Sequence, residues 1–149
     1  MRYSHTQFGW LNLILLTGAT TYGLIMFGVL SGPFKLIPLG IAVLMLFLLI
    51  FFYALRIEVD TDSIHMTLGI GWYKRKWALS EIVSARAIKT RFIDGWGIKL
   101  TKHGWLYSVS MPDAVLLELD SGKNVLLGTD DSDALLAALA ESGINVHSE

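Results

Sequence analysis

A two-helix transmembrane hairpin followed by a mainly β domain with one closing helix is the architecture that the sequence predicts. Three observations predict it. The 149 residues are 53% hydrophobic and only 17% charged, with a mean hydropathy of +0.52, whereas a soluble globular chain carries about a quarter charged residues. The deficit lies at one end: all 13 acidic residues follow Leu55, and before it the only Lys or Arg are Arg2 and Lys35. After Leu55 the apolar period changes from that of a helix to two, the period of a half-buried strand. Two solvents are implied, a bilayer for residues 1–55 and water for residues 56–149.

Residues 8–30 and 36–55 are charge-free runs of 23 and 20 residues. About 20 helical residues cross the hydrocarbon core, so both qualify as spans. The first is too long for the apolar region of a signal peptide, and no small-residue cleavage pattern precedes a soluble sequence. Pro38 falls in the first turn of the second run, where a missing N–H is tolerated. The connection Ser31-Gly32-Pro33-Phe34-Lys35 is short and turn-rich, which makes the two helices antiparallel neighbours. Asn12, Leu16, Ala19, Gly23 and Phe27 form one stripe of the first helix. Small residues such as Ala19 and Gly23 allow close approach of a second helix, and Asn12 is placed to hydrogen-bond across the interface. Packing inside the hairpin accounts for this stripe; docking on a copy or a partner is the alternative. Gly28 and Gly32 add a GxxxG at the helix end. Tyr3, Phe8 and Trp10 mark one interface, and Phe51, Phe52 and Tyr53 mark the same side on the return. The turn holds only Lys35, whereas Arg2, Arg56, Lys74, Arg75 and Lys76 flank the other side. The positive-inside rule then places both termini in the cytoplasm.

In the second part, Leu55, Ile57 and Val59 alternate with Arg56, Glu58 and Asp60, and Ile64, Met66 and Leu68 alternate with His65 and Thr67. Further strands are predicted over residues 73–79, 82–87, 97–101, 105–109, 114–120 and 124–128. Turn signals separate them at Thr61-Asp62, Asp94-Gly95, His103-Gly104 and Ser121-Gly122. A helix over residues 131–142 follows, with Thr129, Asp130 and Asp131 as capping oxygens, Leu135, Leu136 and Leu139 as its apolar stripe, and Gly143 at its stop. About seven short antiparallel strands closed by one helix make a small barrel or bent sheet.

No cysteine is present and the four histidines are scattered, so no metal-ligand set and no disulfide is expected. No phosphate loop and no nucleophile–base pattern is present, which argues for a non-catalytic protein without a cofactor. Helix capping accounts for the acidic cluster Asp130, Asp131 and Asp133. Charge is uneven: residues 56–102 hold 9 Lys or Arg against 5 acids, and residues 103–149 hold 1 against 8. A tethered basic side is drawn to anionic headgroups at about 1 kcal/mol per cation. Lys74, Arg75 and Lys76 are the candidate contact, although strand alternation would set Arg75 with Tyr73 and Trp77, opposite the two lysines. Trp72, Trp77, Trp96, Trp105 and Tyr107 are core candidates, and Trp96, flanked by Gly95 and Gly97, is the best candidate for an exposed contact.

Strands ending in a single helix, together with the phrases Ala78-Leu79-Ser80-Glu81-Ile82, Gly95-Trp96-Gly97-Ile98-Lys99, Gly104-Trp105-Leu106-Tyr107-Ser108-Val109-Ser110 and Leu127-Gly128-Thr129-Asp130, resemble bacterial membrane proteins with a pleckstrin-homology-like domain. A pair of transmembrane helices often precedes the domain in that family. The resemblance implies the fold and the inner membrane, and it implies no reaction. The expected function is a membrane-anchored binding or scaffolding module at the cytoplasmic face, with membrane lipids or a protein as partner and no nucleic acid. The alternative is an accessory subunit held in a larger membrane complex by its helices.

Overall fold

The computed structural model describes residues 2–91, 97–110 and 113–147. The elements run β1 (Tyr3–Phe8), α1 (Trp10–Val29), a 3₁₀ turn (Pro33–Lys35), α2 (Leu36–Phe52), β2 (Ala54–Val59), β3 (Ser63–Leu68), β4 (Tyr73–Ala78), β5 (Ile82–Lys89), β6 (Gly97–Thr101), β7 (Gly104–Ser108), β8 (Asp113–Leu119), β9 (Asn124–Gly128), α3 (Ser132–Glu141) and β10 (Asn145–His147). Two N-terminal helices are thus long and apolar enough to cross a membrane, and a β-sheet domain with a C-terminal helix follows.

Both apolar helices are shorter than their charge-free runs. Phe8 closes β1, and Ala54 and Leu55 open β2. Absence of charge cannot separate a lipid-facing turn from a buried strand residue, and Leu55 is fully buried in the domain core. Strand β1, which lacks an apolar period, pairs antiparallel with β2 over its whole length, from Tyr3 opposite Val59 to Phe8 opposite Ala54. The helical hairpin is therefore an insertion between two paired strands. Its two feet are joined where the Gly9 amide donates to the Tyr53 carbonyl at 3.0 Å. Midway along, Gly23 faces α2: a Cβ there would lie 2.9 Å from the Ala42 Cβ and 2.8 Å from the Pro38 carbonyl oxygen. Only glycine permits this approach, and Gly28 and Gly32 meet nothing comparable.

The strands form two open sheets rather than a closed barrel. One is an antiparallel meander, β1-β2-β3-β4; the other has the order β10-β5-β8-β9-β7-β6. The second is mixed, not antiparallel, because β10 pairs parallel to β5 and β7 parallel to β9. Each sheet presents alternate residues to a shared core. Ile57, Val59, Ile64 and Met66 come from the first, Val115, Leu117 and Leu127 from the second, and Leu135 and Leu139 from α3. Leu106, Leu116 and Leu126 form a smaller cluster on the opposite face of the second sheet.

Helix α3 is rich in Ala and Leu, the strongest helix formers. Asp131 stands at its N-cap without a side-chain cap bond, contrary to the expected capping role. The Thr129 hydroxyl instead accepts the Asp131 amide at 3.1 Å, and Asp130 Oδ1 lies 2.6 Å from His5 Nε2 on β1. Arg2 donates to the Glu141 carbonyl and the Ser142 hydroxyl at the other end of the helix. Strand β1 is thereby held by both ends of α3 as well as by β2.

Candidate functional site

Strand β4 carries the Lys74-Arg75-Lys76 run at the edge of the first sheet, paired among the described residues only with β3. The strand alternation splits the run. Lys74 and Lys76 share the outer face with Arg56 and Thr67, while Arg75 shares the other face with Tyr73 and Trp77.

The outer face begins at the foot of the hairpin. The turn from β3 to β4, residues 69–72, is tied by one hydrogen bond to the start of β2 and by another to the end of α2. The Gly69 amide donates to the Ala54 carbonyl at 2.8 Å, and the Trp72 indole Nε1 donates to the Phe51 carbonyl at 2.9 Å. Phe51 and Trp72 meet edge to face at 5.0 Å and 80°. Gly69 has φ +58°, and a Cβ there would collide with the Phe51 carbonyl, so two independent constraints require glycine. Ile70 is 64% exposed at the tip of this turn. Beside it lies a recess of about 450 Å³ lined by Thr6, Phe8, Tyr53, Arg56, Thr67 and Lys74. Arg56 Nη2 pairs with Glu58 Oε1 at 2.8 Å. Lys74 and Lys76 have no carboxylate partner among the described residues.

On the other face lies a cleft of about 320 Å³ between β4 and the second sheet, lined by Tyr73, Arg75, Trp77, Trp105, Tyr107 and Lys123, among others. Arg75 Nε donates to the Tyr73 hydroxyl at 2.9 Å, with the guanidinium 5.6 Å from that ring. Tyr73 stacks on Tyr107 at 6.0 Å and 28°, and Trp77 approaches Tyr107 at 5.9 Å. Burial pushes Tyr107 from 10.0 up to about 12, helped by the Tyr73 hydroxyl. Burial acts in the same sense on Tyr73, but hydrogen bonds with Arg75 and Tyr107 and the Arg75 charge outweigh it, so Tyr73 is shifted downward. The Arg75 guanidinium thus acts downward on both phenols, and burial with the Tyr73 hydroxyl outweighs it at Tyr107.

The remaining candidates are dispersed. Asn12 is buried, but its Nδ2 donates to the Val109 carbonyl of the domain at 2.9 Å and not across the helix pair. Ala19 and Gly23 do lie on the half-buried side of α1. Trp96 and the Asp94-Gly95 turn lie outside the described residues. Trp72 sits at the hairpin foot and Trp105 is 48% exposed at the cleft. Ile70, Tyr73 and Lys123 were not legible as site residues, because a lone apolar residue between glycines and a lone turn lysine carry no motif. Gln7 is buried with both side-chain polar atoms unpartnered, as is Asn12 Oδ1. No protein-family model matches the chain, and no curated protein matches it either.

Proposed function

We propose that the protein is a membrane-anchored, non-catalytic binding module whose domain lies against the cytoplasmic leaflet of the inner membrane. The observation that carries the reading is the placement of Arg56 and Lys74 with Ile70 and Trp72 at one level, Lys76 standing two residues further along β4. Arg56, Lys74 and Lys76 occupy the sheet face that starts at the hairpin's feet, and Ile70 and Trp72 project from the turn fastened to α2. If α1 and α2 span the bilayer, that level is the headgroup region, where indoles settle and where each cation gains about 1 kcal/mol from anionic lipid. Both termini are cytoplasmic in this reading, because basic residues gather at the feet and only Lys35 at the turn. Kinship with bacterial pleckstrin-homology-like membrane proteins belongs to the same proposal. It rests on the strands-then-helix order and the hairpin, with a further short strand after the helix.

The accessory-subunit reading has one observation in its favour. The outward side of α1 has a shallow notch at Thr17, Gly18 and Thr21, flanked by Trp10, Ile14 and Tyr22. The Thr21 hydroxyl already donates to the Thr17 carbonyl at 2.9 Å, so the notch calls for no polar partner. The module reading is therefore preferred. Strand β1 belongs to the first sheet, so the test uses the full chain. Hydrogen exchange is measured in nanodiscs of phosphatidylcholine alone and with added phosphatidylglycerol. Protection over residues 70–76 should rise with anionic lipid, fall back in high salt, and lose its increment in Arg56→Gln/Lys74→Gln/Lys76→Gln. Exchange indifferent to lipid charge would remove the leaflet contact.

A further inference from the structure

We propose that the cleft between β4 and the second sheet takes an extended acidic segment of a partner protein, laid alongside β4 as a fifth strand of the first sheet. Three observations converge. First, β4 is an edge strand, one side of whose backbone is unpaired among the described residues, the standard template for strand addition. Second, the charge at the cleft is one-signed. Arg75 and Lys123 line it and, among the described residues, no carboxylate does, although residues 103–149 carry 8 acids against a single Lys. A guanidinium has five N–H donors, and the Tyr73 hydroxyl takes one of Arg75's. Third, Trp77, Trp105 and Tyr107 offer aromatic surface between the two cations and on the same face as Arg75, so the added strand would carry acidic and apolar side chains in turn along its one cleft-facing side.

The direction of the cleft argues against lipid as its occupant. Val109 is bonded to Asn12 at the start of α1, so β7 runs toward the hairpin and Trp105 stands about 13 Å further from it at the rise of a strand. Lys123 lies in the turn before β9, whose start pairs beside Trp105. The cleft therefore starts at Tyr73, beside Lys74 at the foot, and climbs the flank of the domain to Trp105 and Lys123, and a segment approaching from solution fits its length. The proposal goes beyond the leaflet contact, which uses the opposite face of the same strand.

The test uses the full chain in nanodiscs of phosphatidylcholine and a fluorescein-labelled heptapeptide Glu-Thr-Val-Thr-Glu-Thr-Val, which as a strand sets its Glu and Val side chains on one face and its Thr on the other. Fluorescence anisotropy should rise and saturate. The Lys-for-Glu counterpart should not bind, nor should a Glu–Val peptide N-methylated at alternate residues, which cannot add as a strand. Arg75→Gln and Lys123→Gln should each weaken binding about tenfold or more, in keeping with loss of a charge-assisted hydrogen bond. Lys76→Gln, on the outer face, should leave it unchanged. Both cleft residues are exposed, so unaltered thermal unfolding of each variant checks that the fold survives. Three results would overturn the proposal: no saturable binding of the Glu–Val peptide, equal binding of its N-methylated form, or equal loss in Lys76→Gln.

Discussion

The four-stranded sheet is antiparallel throughout and holds the apolar hairpin between its first two strands, whereas the six-stranded sheet is mixed and holds α3 between its last two. They share one core, yet their exposed chemistry differs. Arg56, Lys74 and Lys76 mark the outer face of the first, while Asp113, Glu118 and Asp120 are carried by the second and the turn after β8. The uneven charge along the chain does not divide cleanly between the sheets, because β5 and β6 bring Arg86, Lys89 and Lys99 of the basic stretch into the second sheet, where they stand with Asp113 and Glu118. What the difference teaches is positional: the basic sheet is the one covalently bound to the hairpin at both feet, so its outer face is the face held at a fixed height.

The strongest way to break the comparison is to remove what the two sheets share. Leu135 and Leu139 are fully buried in the common core. Leu135→Ala with Leu139→Ala, at about 2–5 kcal/mol per site, should consume most of the stability of the domain. Thermal unfolding of the full chain in detergent reads this, and an unchanged transition would mean that α3 does not seal the core. A smaller effect separates the two sides of α1. Gly23→Leu pushes into Pro38 and Ala42 and should cost about 1–3 kcal/mol, whereas Gly18→Leu meets nothing within 4 Å and should leave the transition where it is.

The smallest effect is on alkaline stability and concerns one tyrosine from each sheet. Burial pushes Tyr3 and Tyr107 from 10.0 up to about 12, with the Asp131 charge adding to Tyr3 and the Tyr73 hydroxyl to Tyr107. In both, the fold disfavours the phenolate relative to the unfolded chain. Their contribution is thus complete below about pH 10 and lost as pH rises toward 12. Tyr73, shifted downward, should ionise before either. Tyr3→Phe with Tyr107→Phe should flatten the alkaline arm of stability against pH, measured by chemical denaturation; an unaltered slope would place the alkaline loss elsewhere.

Much of the fold was legible because half-buried strands write their period into the sequence. Ile57 and Val59, Ile64 and Met66, and Val125 and Leu127 alternate as the structure uses them. The alternation within β4 was legible in the same way, and it separates Arg75 from the two lysines. Strand β1 was not legible: its core-side residues Tyr3, His5 and Gln7 are polar or amphipathic, the first two meeting Asp131 and Asp130 at the start of α3, so no apolar period exists to be read. The parallel pairing of β7 with β9 and of β10 with β5 leaves no mark on a single strand's pattern. Expecting a closed barrel followed from the need to cover a sheet; the second sheet and α3 meet that need instead. The cleft depends on Tyr73 and Tyr107 meeting across sheets, which no local pattern encodes.

The account turns on one geometric claim, that the foot of the hairpin lies at the headgroup level and the far end of the domain does not. The chain has no cysteine, so single spin labels are introduced cleanly at Ile70→Cys and, at the far turn, Lys123→Cys. Their accessibility to oxygen and to a water-soluble nickel complex is then compared by electron paramagnetic resonance in nanodiscs containing phosphatidylglycerol. The account predicts that the label at 70 favours oxygen and is shielded from nickel, and that the label at 123 shows full access to nickel. Equal access to nickel at both positions would contradict it.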